Sequence, residues 1–182
     1  MEAGEAVVNS LSNLRRDSRG FTLVELLVVI AIIGILAAII TPNAFKAVEK
    51  AKVARVEADL KAFKAAAANY YADTGQWPED KPPGGVPGFM ANVDNVDGWN
   101  GPYLERWPTA TPFGGSYDWE VWENWTWNNE TKNIIGVTIY NAPTLPDNLM
   151  LLLDRDMDDG NLDTGNVMKL DTGKLLVILH RW

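Results

Sequence analysis

The residues best suited to chemistry in this 182-residue chain are carboxylates. Asp147, Asp154, Asp156, Asp158, Asp159 and Asp163 crowd one short stretch, and the alternation Asp154-x-Asp156-x-Asp158 is the spacing at which hard oxygen ligands converge on a cation such as Ca2+. The stretch departs from the EF-hand loop, because Asp159 stands sixth, where glycine is required, and Gly165 twelfth. It reads equally well as local structure. Asp147 is placed to cap a short helix carrying Leu149, Met150, Leu152 and Leu153, and Asp158-Asp159-Gly160-Asn161 to end it. The candidate metal ligands are therefore Asp154, Asp156, Asp158, Asp159 and Asp163, with Ca2+ as the ion and no other cofactor required. Other chemistry is poorly served. There is no cysteine, so thiol catalysis, disulfides and Cys-ligated zinc are excluded, and the lone His180 next to the C-terminus offers no nucleophile–base pair. A hydrolase built on the aspartates alone lacks its partners, and the chain is read as a non-enzyme.

A second singular carboxylate is Glu25. It is the one charge in Phe21–Ile40, FTLVELLVVIAIIGILAAII, a run that as a helix spans about 30 Å, the thickness of a bilayer core. A carboxylate in a spanning helix costs roughly 2.5–3.5 kcal/mol at mid-bilayer, less near an interface, and usually has a partner. A cleavable secretory signal would be shorter and followed by small residues, whereas Thr41-Pro42-Asn43 follows here. Charge does not orient the span, since Arg15, Arg16 and Arg19 on one side face Lys46, Lys50, Lys52 and Arg55 on the other.

The elements around these groups follow from periodicity. Beyond the apolar run, Val53, Val56, Leu60, Phe63, Ala67 and Tyr70 recur at helical spacing, beside a stripe of small residues from Ala44 to Ala65. One helix over 21–72 would be about 78 Å long, with Pro42 predicting a kink or a melted turn and Gly34 a weak point. Gly75 and Pro78 end it. Lys81–Gly101 reads as a long irregular connection, Tyr117–Trp127, Lys132–Tyr140 and Lys174–His180 as strands, and Asn128-Asn129-Glu130 as a hairpin turn. The fold class is α+β, a long N-terminal helix packed on a small antiparallel sheet. Trp119, Trp125 and Trp127 share strand parity and are expected to fill the sheet–helix interface. Trp122 points the other way unless a bulge intervenes. The alternative use of these rings is a stacking surface for sugars or for another protein layer. Asn124-Trp125-Thr126 and Asn129-Glu130-Thr131 match glycosylation sequons, a short and frequent pattern.

Charge is segregated along the chain. Thr41–Ala72 carries six basic residues against three acidic, and Asp73–Trp182 seven against seventeen, so the net −8 comes from the C-terminal part. That acidity argues against nucleic acid as the main partner.

Arg19-Gly20-Phe21-Thr22-Leu23-Val24-Glu25 closely resembles the processing site of type IV prepilins and type II secretion pseudopilins, and Gly34 and Pro42 fall where such stems carry them. Tyr71–Pro78, Gly101–Pro108, Pro112–Tyr117 and Asp158–Gly165 resemble later segments of pilin-like heads. The resemblance implies a pilin-like fold. It implies residues 1–20 as a leader cut by prepilin peptidase between Gly20 and Phe21, with methylation of the new N-terminal Phe21. It divides the rest into 21–41 as the transmembrane half of the helix, 42–72 as the amphipathic half and 73–182 as the head. Glu25 is implied to meet the Phe21 amine of a neighbouring subunit during filament assembly. The implied partners are identical or related pilin subunits, the prepilin peptidase, an inner-membrane assembly platform and, before assembly, the lipid bilayer. The implied location is the inner membrane, single-pass with the head outside the cytoplasm, and then a periplasmic pseudopilus or extracellular pilus. The resemblance also strengthens the calcium reading, since major pseudopilins use calcium in this region. The alternative function is an uncleaved, membrane-anchored binding protein with an aromatic carbohydrate-binding surface.

Overall fold

The computed structural model describes residues 20–80, 85, 87–140, 142, 145–171 and 173–182. Residues 1–19 of the expected leader and part of the 81–101 connection lie outside the described residues. What is described falls into two units, one ending at Phe45 and the other Lys46–Trp182.

Helix α1 runs Leu23–Thr74 without interruption. Pro42 lies inside it, so the chain stays helical where a melted turn was one expectation. Proline removes one amide donor from the ladder. Next to it, the Thr41 hydroxyl donates to the Ala37 carbonyl at 2.5 Å, supplying a further bond where the ladder is weakened. Every residue from Gly20 to Lys50 is exposed, and the apolar run is long enough to cross a membrane. The helix stops where glycine permits it: Gly75 has φ +74° and its amide reaches the Tyr71 carbonyl at 2.8 Å.

In the second unit the predicted stripe is buried. Val53, Val56, Leu60, Phe63, Ala66, Ala67 and Tyr70 are each at most 2% exposed, while Ala44, Ala47, Ala51, Ala54, Ala58, Ala62 and Ala65 remain open. The larger side chains of the stripe each contribute about 1.5–3 kcal/mol of transfer free energy. They face a four-stranded antiparallel sheet of order β1-β2-β4-β3: β1 Ser116–Trp127, β2 Glu130–Tyr140, β3 Val167–Asp171 and β4 Lys174–Arg181. Between β2 and β3 lies α2, Asp147–Met157. Glu130 pairs with Trp127, so the hairpin turn is Asn128-Asn129 alone, both with φ near +50 to +65°. The short β3 was not visible in the sequence. Phe63 stacks on Trp107 at 4.3 Å and meets Tyr117 edge-on at 5.2 Å, while Phe89 and Phe113, from irregular segments, are also fully buried.

The tryptophans correct the parity argument. The β1–β2 register shifts between Trp122 and Trp125, where Glu123 and Asn124 stand opposite Asn133 alone. Asn124 takes φ +54° and its amide donates to the Asn133 side chain at 2.9 Å. Trp119 lies in the main core, with its indole N–H on the Pro78 carbonyl at 3.1 Å. Trp125 and Trp127 instead join Trp122 on the opposite face, over Ile134, Met168, Leu176 and Ile178.

Candidate functional site

Gly20 and Phe21 precede the first helical turn and are exposed, Phe21 at 86%. Thr22 and Glu25 form a reciprocal cap. The Glu25 amide donates to Thr22 Oγ1 at 3.1 Å, and Glu25 Oε2 accepts both the Thr22 amide and its hydroxyl at 2.8 Å. This is the capping-box arrangement, satisfying amides that a helix start otherwise leaves orphaned, and it puts a carboxylate at the positive end of the helix dipole. The sequence carries the signal for this cap as Thr22-x-x-Glu25, the spacing of a capping box.

In the acidic loop the structure brings together three of the five candidate ligands. Asp154, Asp158 and Asp159 offer carboxylate oxygens within 4.8 Å of one another. Two oxygens bound to one Ca2+ at about 2.3–2.6 Å lie at most about 5 Å apart, so the three fit a single ion. Asp154 sits in the last turn of α2, fully buried, and among the described residues neither of its oxygens has a hydrogen-bond partner. An unpartnered buried carboxylate is costly, and a cation is one way to satisfy it. Burial raises the Asp154 pKa, and the charges of Asp159 and Asp158 add to the shift. The amides of Gly160 and Asp159 oppose it without reaching hydrogen-bond alignment.

The other two aspartates are held in place by the loop. Asp158 accepts the Asn166 amide, the Asn166 side-chain N–H at 3.0 Å and the Val167 amide at 3.3 Å. Asp159 accepts the Asn161 amide at 2.9 Å and the Thr164 hydroxyl at 2.8 Å. Gly165 is obligatory here. Its φ is +76°, and a Cβ on it would lie 1.9 Å from Asp158 Oδ2. Gly165 and Asn166 shape this cluster, and neither stood out in the sequence as part of it.

Asp156 and Asp163 fall outside the cluster. Asp156 is exposed on α2, and Asp163 contributes its carbonyl, which accepts the Trp127 indole N–H at 3.1 Å and the Asn128 amide N–H at 2.9 Å. Alternation brings carboxylates together in a loop, but 154–157 is helical, and residues two apart on a helix point to different sides. Asp147 does not cap α2 either. The N-cap is Pro146, and the Asp147 carboxylate pairs with Lys169 Nζ at 2.7 Å.

Comparison with known proteins places the chain among relatives. Residues 15–41 match the family model of the prokaryotic N-terminal methylation motif, and residues 47–132 match the C-terminal model of PilW. The type II secretion system core protein G of Pseudomonas aeruginosa is 35% identical over 116 residues, which cover 54% of this chain and 81% of that protein. The fimbrial protein EcpC of Eikenella corrodens is 41% identical over 73 residues, and the type IV major pilin PilE1 of Neisseria gonorrhoeae 41% over 68. Those matches take in 40% and 37% of this chain, and 48% and 41% of the two pilins, so the chain spans less than half the length of either. No solved structure matches. The long apolar-to-amphipathic helix, the antiparallel head and the relative matched over most of its length place the chain in the type IV pilin and type II secretion pseudopilin family, a family of filament subunits.

Proposed function

We propose that this subunit is of the pseudopilus kind, stored in the inner membrane by residues 21–41 with its head outside the cytoplasm. The observation that carries the reading is the extent of the matches: the two pilin relatives described share 68 to 73 residues with this chain, whereas the core protein G likeness takes in 116. Prepilin peptidase hydrolyses the Gly20–Phe21 peptide bond and frees an α-amine on Phe21, one helical turn from Glu25. An assembly platform then draws the subunit out of the bilayer against related subunits, and Glu25 is the counter-charge that a neighbour's Phe21 amine meets in the apolar bundle. The role is structural rather than catalytic. Two measurements test this. Mass spectrometry of protein extracted from the host membrane is expected to show a methylated N-terminal Phe21, and an intact residue 1–20 segment would overturn the processing. Deletion of the gene is expected to stop secretion of exported proteins while leaving surface pili, and loss of surface pili with secretion intact would overturn the pseudopilus assignment.

We further propose that Asp154, Asp158 and Asp159 hold a calcium ion, with backbone carbonyls or water completing its shell. The buried, unpartnered Asp154 carboxylate supports this most directly. The ion would tie the end of α2 to the loop before β3, in a head that has no disulfide to do so. Calorimetric titration of the chelator-treated protein is expected to show one site for Ca2+, and no heat would overturn the assignment.

A further inference from the structure

The outer face of the sheet carries three neighbouring tryptophan rings, Trp122, Trp125 and Trp127. We infer that Trp125 and Trp127 form the wall of a carbohydrate-binding cleft, taking one ring of a neutral oligosaccharide. The two indoles lie near-parallel, 11° apart with centroids at 5.8 Å, and Trp122 adjoins Trp125 at the same distance. They border a cleft of about 260 Å3 floored by Ile134 and Met168. Its rim is polar and of both signs: Asn128, Glu130, Lys132 and Arg181.

The rings are placed by a backbone irregularity. Regular pleating would turn Trp125 and Trp127 toward the helix, and the Glu123–Asn124 bulge keeps them outside. Trp127 is also held there. The Trp127 indole N–H and the Asn128 side chain both bond the Asp163 carbonyl, and the Arg181 guanidinium bonds the Gly165 carbonyl. A wall fixed before binding loses little freedom on binding.

The class of ligand follows from this chemistry. A pyranose has an apolar C–H face that lies flat on an indole, and a girdle of hydroxyls that donate and accept. On the rim the Lys132 ammonium is paired with the Glu130 carboxylate, and Asn128 and Arg181 each donate to a loop carbonyl; their remaining N–H groups and carboxylate lone pairs answer both demands. The volume falls below the ~300–1,000 Å3 of sites that enclose a drug-sized molecule, which suits a single ring of a chain continuing into solvent. Phosphate-bearing ligands are opposed by the net charge of −8. The inference stands apart from the pseudopilus reading, since a subunit of either filament, or an uncleaved one, would carry the cleft.

The test uses the full chain in a zwitterionic detergent without a sugar headgroup. The probes are cellotetraose, chitotetraose, xylotetraose and maltotetraose, read by tryptophan emission and by saturation-transfer NMR. Saturable binding of at least one probe at millimolar concentration is expected, weakened about tenfold or more by Trp125→Ala and by Trp127→Ala. Lys132→Ala and Glu130→Ala, which remove only an exposed ion pair, are expected to weaken it several-fold with the melting temperature kept close to wild type. They decide the matter if the tryptophan variants fail to fold. No saturable binding of any probe, or binding equal to wild type in the rim variants and in every tryptophan variant that folds, would overturn the assignment.

Discussion

Glu25 closes the first turn of its own helix: one carboxylate oxygen takes both the amide and the hydroxyl of Thr22, each at 2.8 Å. The carboxylate that the family resemblance assigns to a neighbouring subunit is thus already satisfied within its own chain. Inside a bilayer an unpaired carboxylate is expensive, so the cap lowers the cost of storing the subunit there. Assembly must then offer more than this cap, or add an ammonium group to it.

Two variants separate the cap from the charge. Glu25→Gln keeps a side chain that can close a capping box but carries no charge, while Thr22→Ala keeps the charge and loses the cap at a cost of about 1 kcal/mol. If charge drives assembly, Glu25→Gln inserts and is cleaved but yields no filaments, as does Glu25→Leu, whereas Thr22→Ala still assembles. Electron microscopy of cells producing each variant, with blots for cleavage, reads the outcome. Normal filaments from Glu25→Leu would remove Glu25 from assembly.

Asp154 makes a second, opposite-signed test. Its pKa is raised from an ordinary value of 3.8, chiefly by burial, so between that value and the raised one the folded state keeps a proton that the unfolded chain has lost. That contribution favours folding at low pH and is lost as pH rises through the raised value. Burial raises Glu120 in the same direction. In chelator, the melting temperature should therefore rise on acidification from neutral pH toward the ordinary carboxylate range. Calcium should flatten or reverse that slope by holding Asp154 ionised. Asp154→Asn should melt higher than wild type in chelator and lose the calcium-induced rise. A variant that melts lower in chelator and still responds to calcium would contradict the site.

Much of this was legible in the sequence, and the failures share a cause. The helix stripe from Val53 to Tyr70 and the Gly75 stop depend on one-dimensional spacing, and the structure keeps them. Trp125 and Trp127 depended on strand parity over twelve residues, which a single extra residue at Asn124 reverses. Asp156 was grouped with Asp154 and Asp158 by alternation, a loop rule applied to a helix. The short β3 and the buried Phe89 depend on pairing and packing with distant segments, for which local spacing carries no signal.

Phe63 lies between Trp107 and Tyr117 and is 1% exposed, and Leu60 is fully buried on the same stripe. Phe63→Ala should cost about 3–5 kcal/mol and Leu60→Ala about 2–5. Ala58→Ser on the exposed small face should stay within about 0.5 kcal/mol. Urea unfolding of the detergent-solubilised chain, followed by tryptophan emission, measures all three. Equal costs at the two faces would mean that the helix packs on the sheet in another orientation.

The bulge makes the least intuitive prediction. Removing Asn124 leaves Glu123 alone opposite Asn133, restoring one-to-one pairing between Trp122↔Ile134 and Trp125↔Lys132. Trp125 and Trp127 then stay on the outer face, and the left-handed backbone at Asn124 disappears together with its amide bond to Asn133. Deletion of a residue inside a strand normally flips every side chain beyond it, burying polar groups and exposing apolar ones. Here the deletion is expected to leave the fold intact, with a melting temperature within a few degrees of wild type. Deleting Thr126 instead, beyond the bulge, should collapse the hairpin end. If loss of Asn124 were the more damaging of the two, the assigned register would be wrong.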